Sequence, residues 1–212
     1  MTPTILLDLD GTLSDNFAGI SRSILHALAR MGAPDPGEAA LRTCVGPPLR
    51  ESFAHLIPGV DSAGIETAIG HYRERYGDLG WRENEAYEGV AEALAVLAAR
   101  GVKLFVCTSK PEVFAARIIG HFGFDAYFTR VYGADLAGTL DDKRALLAHL
   151  LARERIAAAQ AVMVGDRHHD VRAARANGVR AIGVLWGYGS RAELEGAERL
   201  LERTGELASL LD

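Results

Sequence analysis

Long apolar runs, blocks of basic residues and paired cysteines are all missing from this 212-residue chain. Nothing approaches the roughly 20 consecutive apolar residues that a membrane helix needs, so no membrane partner is expected. The apolar run at the amino end is interrupted by Asp8 and Asp10 and has no basic region before it, which argues against a secretory leader. A net charge of −5 without clustered Lys and Arg leaves no footprint for a nucleic-acid backbone. The two cysteines, Cys44 and Cys107, lie in different segments without metal-ligand spacing. That excludes a disulfide framework and fits a reducing, cytoplasmic setting. Lysine is scarce too. Lys103, Lys110 and Lys143 stand against twenty arginines, which makes each lysine more informative.

A hydrophobic fraction of 49% with 24% charged residues suits a globular protein with a sizeable core. From about residue 15 to 85 the patterns are helical. Phe17, Ile20, Ile24, Leu28 and Met31 recur every three or four positions behind a capping candidate at Asp15 or Asn16. Short helical patterns follow to Ile57, and residues 61–76 read as a further helix. From residue 88 the period alternates between helix and strand: helix 89–100, strand 102–107, a helix beginning at Pro111, strand 127–132, helix 142–155, strand 161–165, helix 168–177 and strand 180–185. One more strand and helix complete the chain. This alternation predicts βα units around a parallel sheet. The expected division is a core of residues 1–14 and 86–212 with an insert of residues 15–85.

The most telling stretch is Ile5-Leu6-Leu7-Asp8-Leu9-Asp10-Gly11-Thr12-Leu13, an apolar strand ending abruptly in two carboxylates. Ligands bind beyond the carboxyl ends of strands in open α/β sheets, where Asp8 and Asp10 would lie. Buried carboxylates this close require a cation, a lysine or a shared proton. Asp166 and Asp170, at a strand end and a helix start, have spacing suited to converging on one ion. Hard oxygen ligands favour Mg²⁺, with Asp8 and the Asp10 carbonyl completing the protein side. His168 and His169 are read as surface or helix-start residues, since adjacent helical positions face different ways.

Four stretches in order carry a resemblance to the haloacid dehalogenase superfamily: Asp8-Leu9-Asp10-Gly11-Thr12, the Leu104–Pro111 strand end, Lys143, and Val162–Asp170. The resemblance implies an α/β fold, a Rossmann-like parallel sheet core flanked by helices, with an inserted α-helical cap. It also implies an aspartyl-phosphate chemistry. Asp8 would be the nucleophile, Asp10 the general acid and then base, and Thr108 a phosphate holder. Lys143 would neutralise phosphate and nucleophile, with Lys110 as the competing lysine. Gly11, Thr12, Ser109 and Lys110 are expected to line the phosphate site, Gly11 because it lets the chain turn without a side chain obstructing the phosphate.

The segment Val45–Arg50 resembles a cap loop of phosphoglycolate phosphatase-like members, a branch whose relatives include nucleoside-monophosphate phosphatases. Arg50 would meet an anionic group of the substrate. Trp186 and Tyr188 would line the cleft, or pack beneath a loop made mobile by its glycines. The expected function is hydrolysis of a small phosphorylated metabolite such as 2-phosphoglycolate or a nucleoside 5′-monophosphate, by a monomer or homodimer. A sugar-phosphate phosphomutase and a non-catalytic phospholigand-binding regulator stand as alternatives. Hydrolytic dehalogenation is disfavoured, because the branch performing it lacks the second acid at the position of Asp10.

Overall fold

A computed structural model describes residues 3–210. In chain order, strand β1 (Thr4–Leu7) and the short β2 (Ser14–Asp15) precede helices α1 (Phe17–Arg30), α2 (Glu38–Thr43), α3 (Leu49–Leu56) and α4 (Ser62–Asp78). Then come the short β3 (Glu85–Ala86), α5 (Val90–Ala99), β4 (Lys103–Pro111), α6 (Glu112–His121), β5 (Phe128–Ala134) and α7 (Lys143–Glu154). Strand β6 (Ala161–Gly165), α8 (His168–Ala176), β7 (Arg180–Val184) and β8 (Arg199–Leu201) follow. Where a closing helix was expected, Thr204–Ser209 is a short 3₁₀ segment. Among the described residues no helix is long and apolar enough to cross a membrane.

The chain forms two compact units, one of Asn16–Glu85 and one of the residues on either side, up to Asp15 and from Ala86 onward. In the larger unit six parallel strands run in the order β5-β4-β1-β6-β7-β8. This is the expected α/β architecture. Strand β1 is central and every residue of it is buried, so it reads as a continuous apolar run and not as an alternation. One face of the sheet contributes Leu6, Phe105 and Met163 to a cluster with Leu146, Leu147, Leu150 and Ala173 from α7 and α8. Register decides the site. Leu7 pairs with both Val106 and Val164, so the residues that come after these three positions emerge together at one edge of the sheet.

The regular elements of the smaller unit are helices among its described residues, apart from Glu85, the first residue of β3. Helix α1 buries Ile20, Ile24, Ala27 and Leu28, and α4 buries Ala68, Ile69, Tyr72 and Tyr76. Tyr72 stacks on Tyr76 with centroids 5.1 Å apart, and Phe53 meets Tyr72 edge-on at 6.4 Å. Asn16 occupies the N-cap position of α1 but makes no side-chain cap. Its amide instead donates to the Tyr76 hydroxyl at 2.5 Å, a long-range partner that capping rules do not anticipate. Pro111 closes β4 and stands just before α6, one residue earlier than expected.

Candidate active site

Three elements meet around Asp8. The residue follows β1, is 3% exposed, and accepts the Leu9 N–H on Oδ1 at 2.8 Å. Its other oxygen, Oδ2, lies 2.9 Å from Lys143 Nζ. Lys143 is the first residue of α7, placed there by Asp142, whose side chain caps the helix by accepting the Arg144 N–H at 2.8 Å. The same ammonium contacts Asp170 Oδ1. Burial opposes the charge on Lys143, but the facing Asp170 and Asp8 carboxylates outweigh it and hold the ammonium above its usual range. Among the described residues, Asp8, Asp166 and Asp170 bring carboxylate oxygens within 4.8 Å of one another, and all three are buried.

The sequence pair Asp166/Asp170 therefore does converge. Asp170 enters through α8, where its Oδ2 accepts the Arg167 N–H at 3.0 Å. Burial pushes its carboxyl up to about 6, with Asp8 adding to the rise and Lys143 opposing it. Asp166 is pushed well above the ordinary carboxyl range, first by burial and then by Asp170 and Asp8. Its Oδ2 accepts the Tyr188 N–H at 2.8 Å, whereas the buried Oδ1 has no hydrogen-bond partner. A wholly buried carboxylate oxygen without a hydrogen-bond partner, beside two further acids, is suited to a hard divalent cation.

Asp10 is 6% exposed and its carboxylate is ion-paired with Lys110. Both candidate lysines are thus buried and engaged, Lys110 on Asp10 and Lys143 on Asp8 and Asp170. Thr108, 2% exposed, accepts the Lys110 N–H on Oγ1 at 3.3 Å, and Ser109 lies beside it, 9% exposed. Thr12 is fully buried with no partner for its hydroxyl, and its carbonyl accepts the Trp186 indole N–H at 3.0 Å. Arg50 belongs to the smaller unit, where its Nε donates to Glu66 at 2.6 Å.

The packing of two glycine segments adds to their sequence reading. Gly11 has φ +82°, and a Cβ there would fall 2.2 Å from Asp166 Oδ2. Its lack of a side chain therefore makes room for the Asp166 carboxylate. The Trp186–Gly189 loop, read from its glycines as mobile, is closely packed: a Cβ on Gly187 would meet Gly11 O at 2.3 Å, and one on Gly189 would meet Asp166 O at 1.8 Å. These glycines are there for close approach of backbone to backbone. Sequence reasoning missed the loop's grip on Asp166, whose only trace is the Trp-Gly-Tyr-Gly spacing after a strand. His168 and His169 open α8, the helix-start position expected of them. Their rings lie 3.9 Å apart at the first turn of α8, and His168 faces Glu193, outside the carboxylate cluster.

Comparison with known proteins agrees with this geometry. The model of the haloacid dehalogenase-like hydrolases matches residues 5–184. Over 208 residues the chain is 46% identical to a 5′-nucleotidase of Pseudomonas aeruginosa, covering 98% of this chain and 93% of that protein. It is 43% identical over 185 residues to the tyrosine-protein kinase PtkA of Mycobacterium tuberculosis, covering 87% of this chain but 62% of that protein. The crystal structure of a predicted phosphatase from Clostridium acetobutylicum superposes with a TM-score of 0.94 at 34% identity, covering 99% of this chain and 98% of that one. The family match over most of the chain, together with the 46% identity across nearly its whole length, shows that this chain belongs to the haloacid dehalogenase-like hydrolase family.

Proposed function

We propose that this phosphatase hydrolyses small phosphomonoesters through an aspartyl-phosphate on Asp8, with Mg²⁺ as its cofactor. The observation that carries the reading is the convergence of Asp8, Asp166 and Asp170 on one buried point, with Lys143 against two of them. Asp8 attacks phosphorus, forming the acyl-phosphate bond as the ester oxygen departs. Asp10 donates a proton to that oxygen and later takes one from the water that cleaves the intermediate. Lys143 offsets charge on the nucleophile, while Thr108, Ser109, Lys110 and the Gly11–Thr12 turn are suited to holding phosphate oxygens. Asp8, Asp166, Asp170 and the Asp10 carbonyl would hold Mg²⁺, which when bound shields the phosphate's negative charge from the attacking carboxylate.

Nucleoside 5′-monophosphates are the preferred substrate class in this reading, supported by the likeness to a 5′-nucleotidase. 2-Phosphoglycolate is the alternative, drawing on Arg50 as a partner for a carboxylate. The test is a panel of phosphorylated metabolites incubated with the purified protein, with and without Mg²⁺, followed by assay of released inorganic phosphate. Phosphate reaching a second substrate position or another acceptor would replace hydrolysis by transfer. No turnover of any ester in the panel would leave a phospholigand-binding regulator.

A further inference from the structure

The loop from Trp186 to Gly189 holds the site from behind. Its indole N–H is donated to the Thr12 carbonyl, its Tyr188 N–H to Asp166 Oδ2, and Gly189 lies against the Asp166 backbone. The Tyr188 hydroxyl does something separate. It donates to Asp15 Oδ1 at 2.5 Å and shares a hydrogen bond with the Tyr87 hydroxyl. Asp15 and Tyr87 stand beside the two places where the chain leaves and re-enters the larger unit, so one phenol ties both points to the loop.

An aspartate offers two equivalent oxygens that exchange on rotation about χ2, and only a fixed donor on one of them makes the other available in a defined direction. The Tyr188 N–H is that donor, and its position depends on what anchors the loop. We propose that Tyr188 is a positioning residue for Asp166: its hydroxyl, held by Asp15 and Tyr87, fixes its own backbone N–H on Oδ2 and so presents Oδ1 to the cation. The inference rests on reading Asp8, Asp166 and Asp170 as cation ligands. Both phenols keep their protons over the working range. Burial raises Tyr188, reinforced by its hydrogen bond to Asp15, and burial with the nearby Asp15 and Asp166 charges raises Tyr87. The donor into Asp15 is therefore constant. The part of Tyr188 that matters is a hydroxyl and a backbone N–H, and its ring need not stack on any substrate.

The test is Mg²⁺ titration into metal-free protein by isothermal calorimetry, alongside kcat and KM. Tyr188→Phe keeps the ring and backbone but loses the anchor, and outer-shell losses of this kind weaken metal binding by about tenfold or more. Asp15→Ala should match it, and the double variant should be no worse than either single one. Asp15→Asn retains an acceptor and should bind Mg²⁺ like the wild type. In Tyr188→Phe, kcat should fall at low Mg²⁺ and recover at saturation, with KM for the phosphomonoester unchanged. Wild-type Mg²⁺ affinity in Tyr188→Phe, additive losses in the double variant, or loss in Asp15→Asn equal to that in Asp15→Ala would each overturn the proposal. A wild-type protein that binds no Mg²⁺, or an Asp166→Asn variant that binds it normally, would instead overturn the cation reading on which it rests.

Discussion

Lys143 Nζ stands 2.9 Å from Asp8 Oδ2, both groups almost wholly inaccessible to solvent. The same ammonium serves Asp170, so a single cationic side chain faces two members of a cluster of three carboxylates. With all three ionised, one ammonium leaves the cluster two positive charges short, which is the charge of the cation assigned to it. Asp10 stands apart from this account, because Lys110 balances it.

Removing the shared ammonium should be costly. Lys143→Met leaves buried carboxylates facing one another, and breaking a buried ion pair in this way costs about 3–5 kcal/mol. Urea denaturation of the metal-free variant should show the loss, and an unchanged midpoint would contradict it. Turnover should be lost as well.

Asp8→Asn retains shape and volume but cannot form an acyl-phosphate, so turnover should disappear while circular dichroism and the urea midpoint stay near the wild type. Substantial hydrolysis by a sequence-verified variant would remove Asp8 from the role of nucleophile.

Metal dependence can be read directly. Chelation should abolish activity, and added Mg²⁺ should restore it. Ca²⁺ should restore it poorly, since its longer and looser coordination misplaces the phosphate. Full turnover in metal-free buffer is the result that would defeat this expectation.

Substrate choice should separate two variants. If the substrate is a nucleoside 5′-monophosphate, Trp186→Ala should raise KM more than Arg50→Ala; for 2-phosphoglycolate the order should reverse. Trp186 is anchored through its indole to the Thr12 carbonyl, so Trp186→Phe serves as a control that keeps an aromatic face without the anchor. Unchanged kcat/KM in Arg50→Ala for every substrate would confine Arg50 to its pairing with Glu66.

His169 supplies a pH-dependent stability term. Loss of hydration, followed by the neighbouring His168, Lys143 and Arg167 charges, lowers its imidazole to about 4. The folded protein then refuses a proton that the unfolded chain accepts below about 6.5. No penalty exists above that pH. It grows as pH falls from about 6.5 towards 4, so the wild type should lose stability relative to His169→Gln across that window. Denaturation of both proteins from pH 8 to pH 5 measures the difference, and parallel curves would show that the imidazole is not held neutral.

Alternation of period and the position of acids after apolar runs made the parallel sheet and the acidic site legible in the sequence. A buried central strand must be apolar throughout, so Ile5-Leu6-Leu7 followed by Asp8 marks its own end. The partners were less legible. Asp15 and Asn16 are both capping candidates by sequence, yet Asn16 donates across the smaller unit to Tyr76, because a long-range hydroxyl competes with the local backbone. The glycines of the Trp186–Gly189 loop suggested mobility, since sequence records a missing side chain without recording what occupies its space.

By itself the sequence determined which residues would sit at strand ends, because burial and secondary-structure period are properties of short stretches. Tertiary structure decided which of them meet. Lys143 joins Asp8 and Asp170, Lys110 joins Asp10, and Tyr188 joins Asp166 to Asp15. Those pairings follow from strand register and from the packing of α7 and α8 on the sheet, and both are set by contacts between segments far apart in the chain.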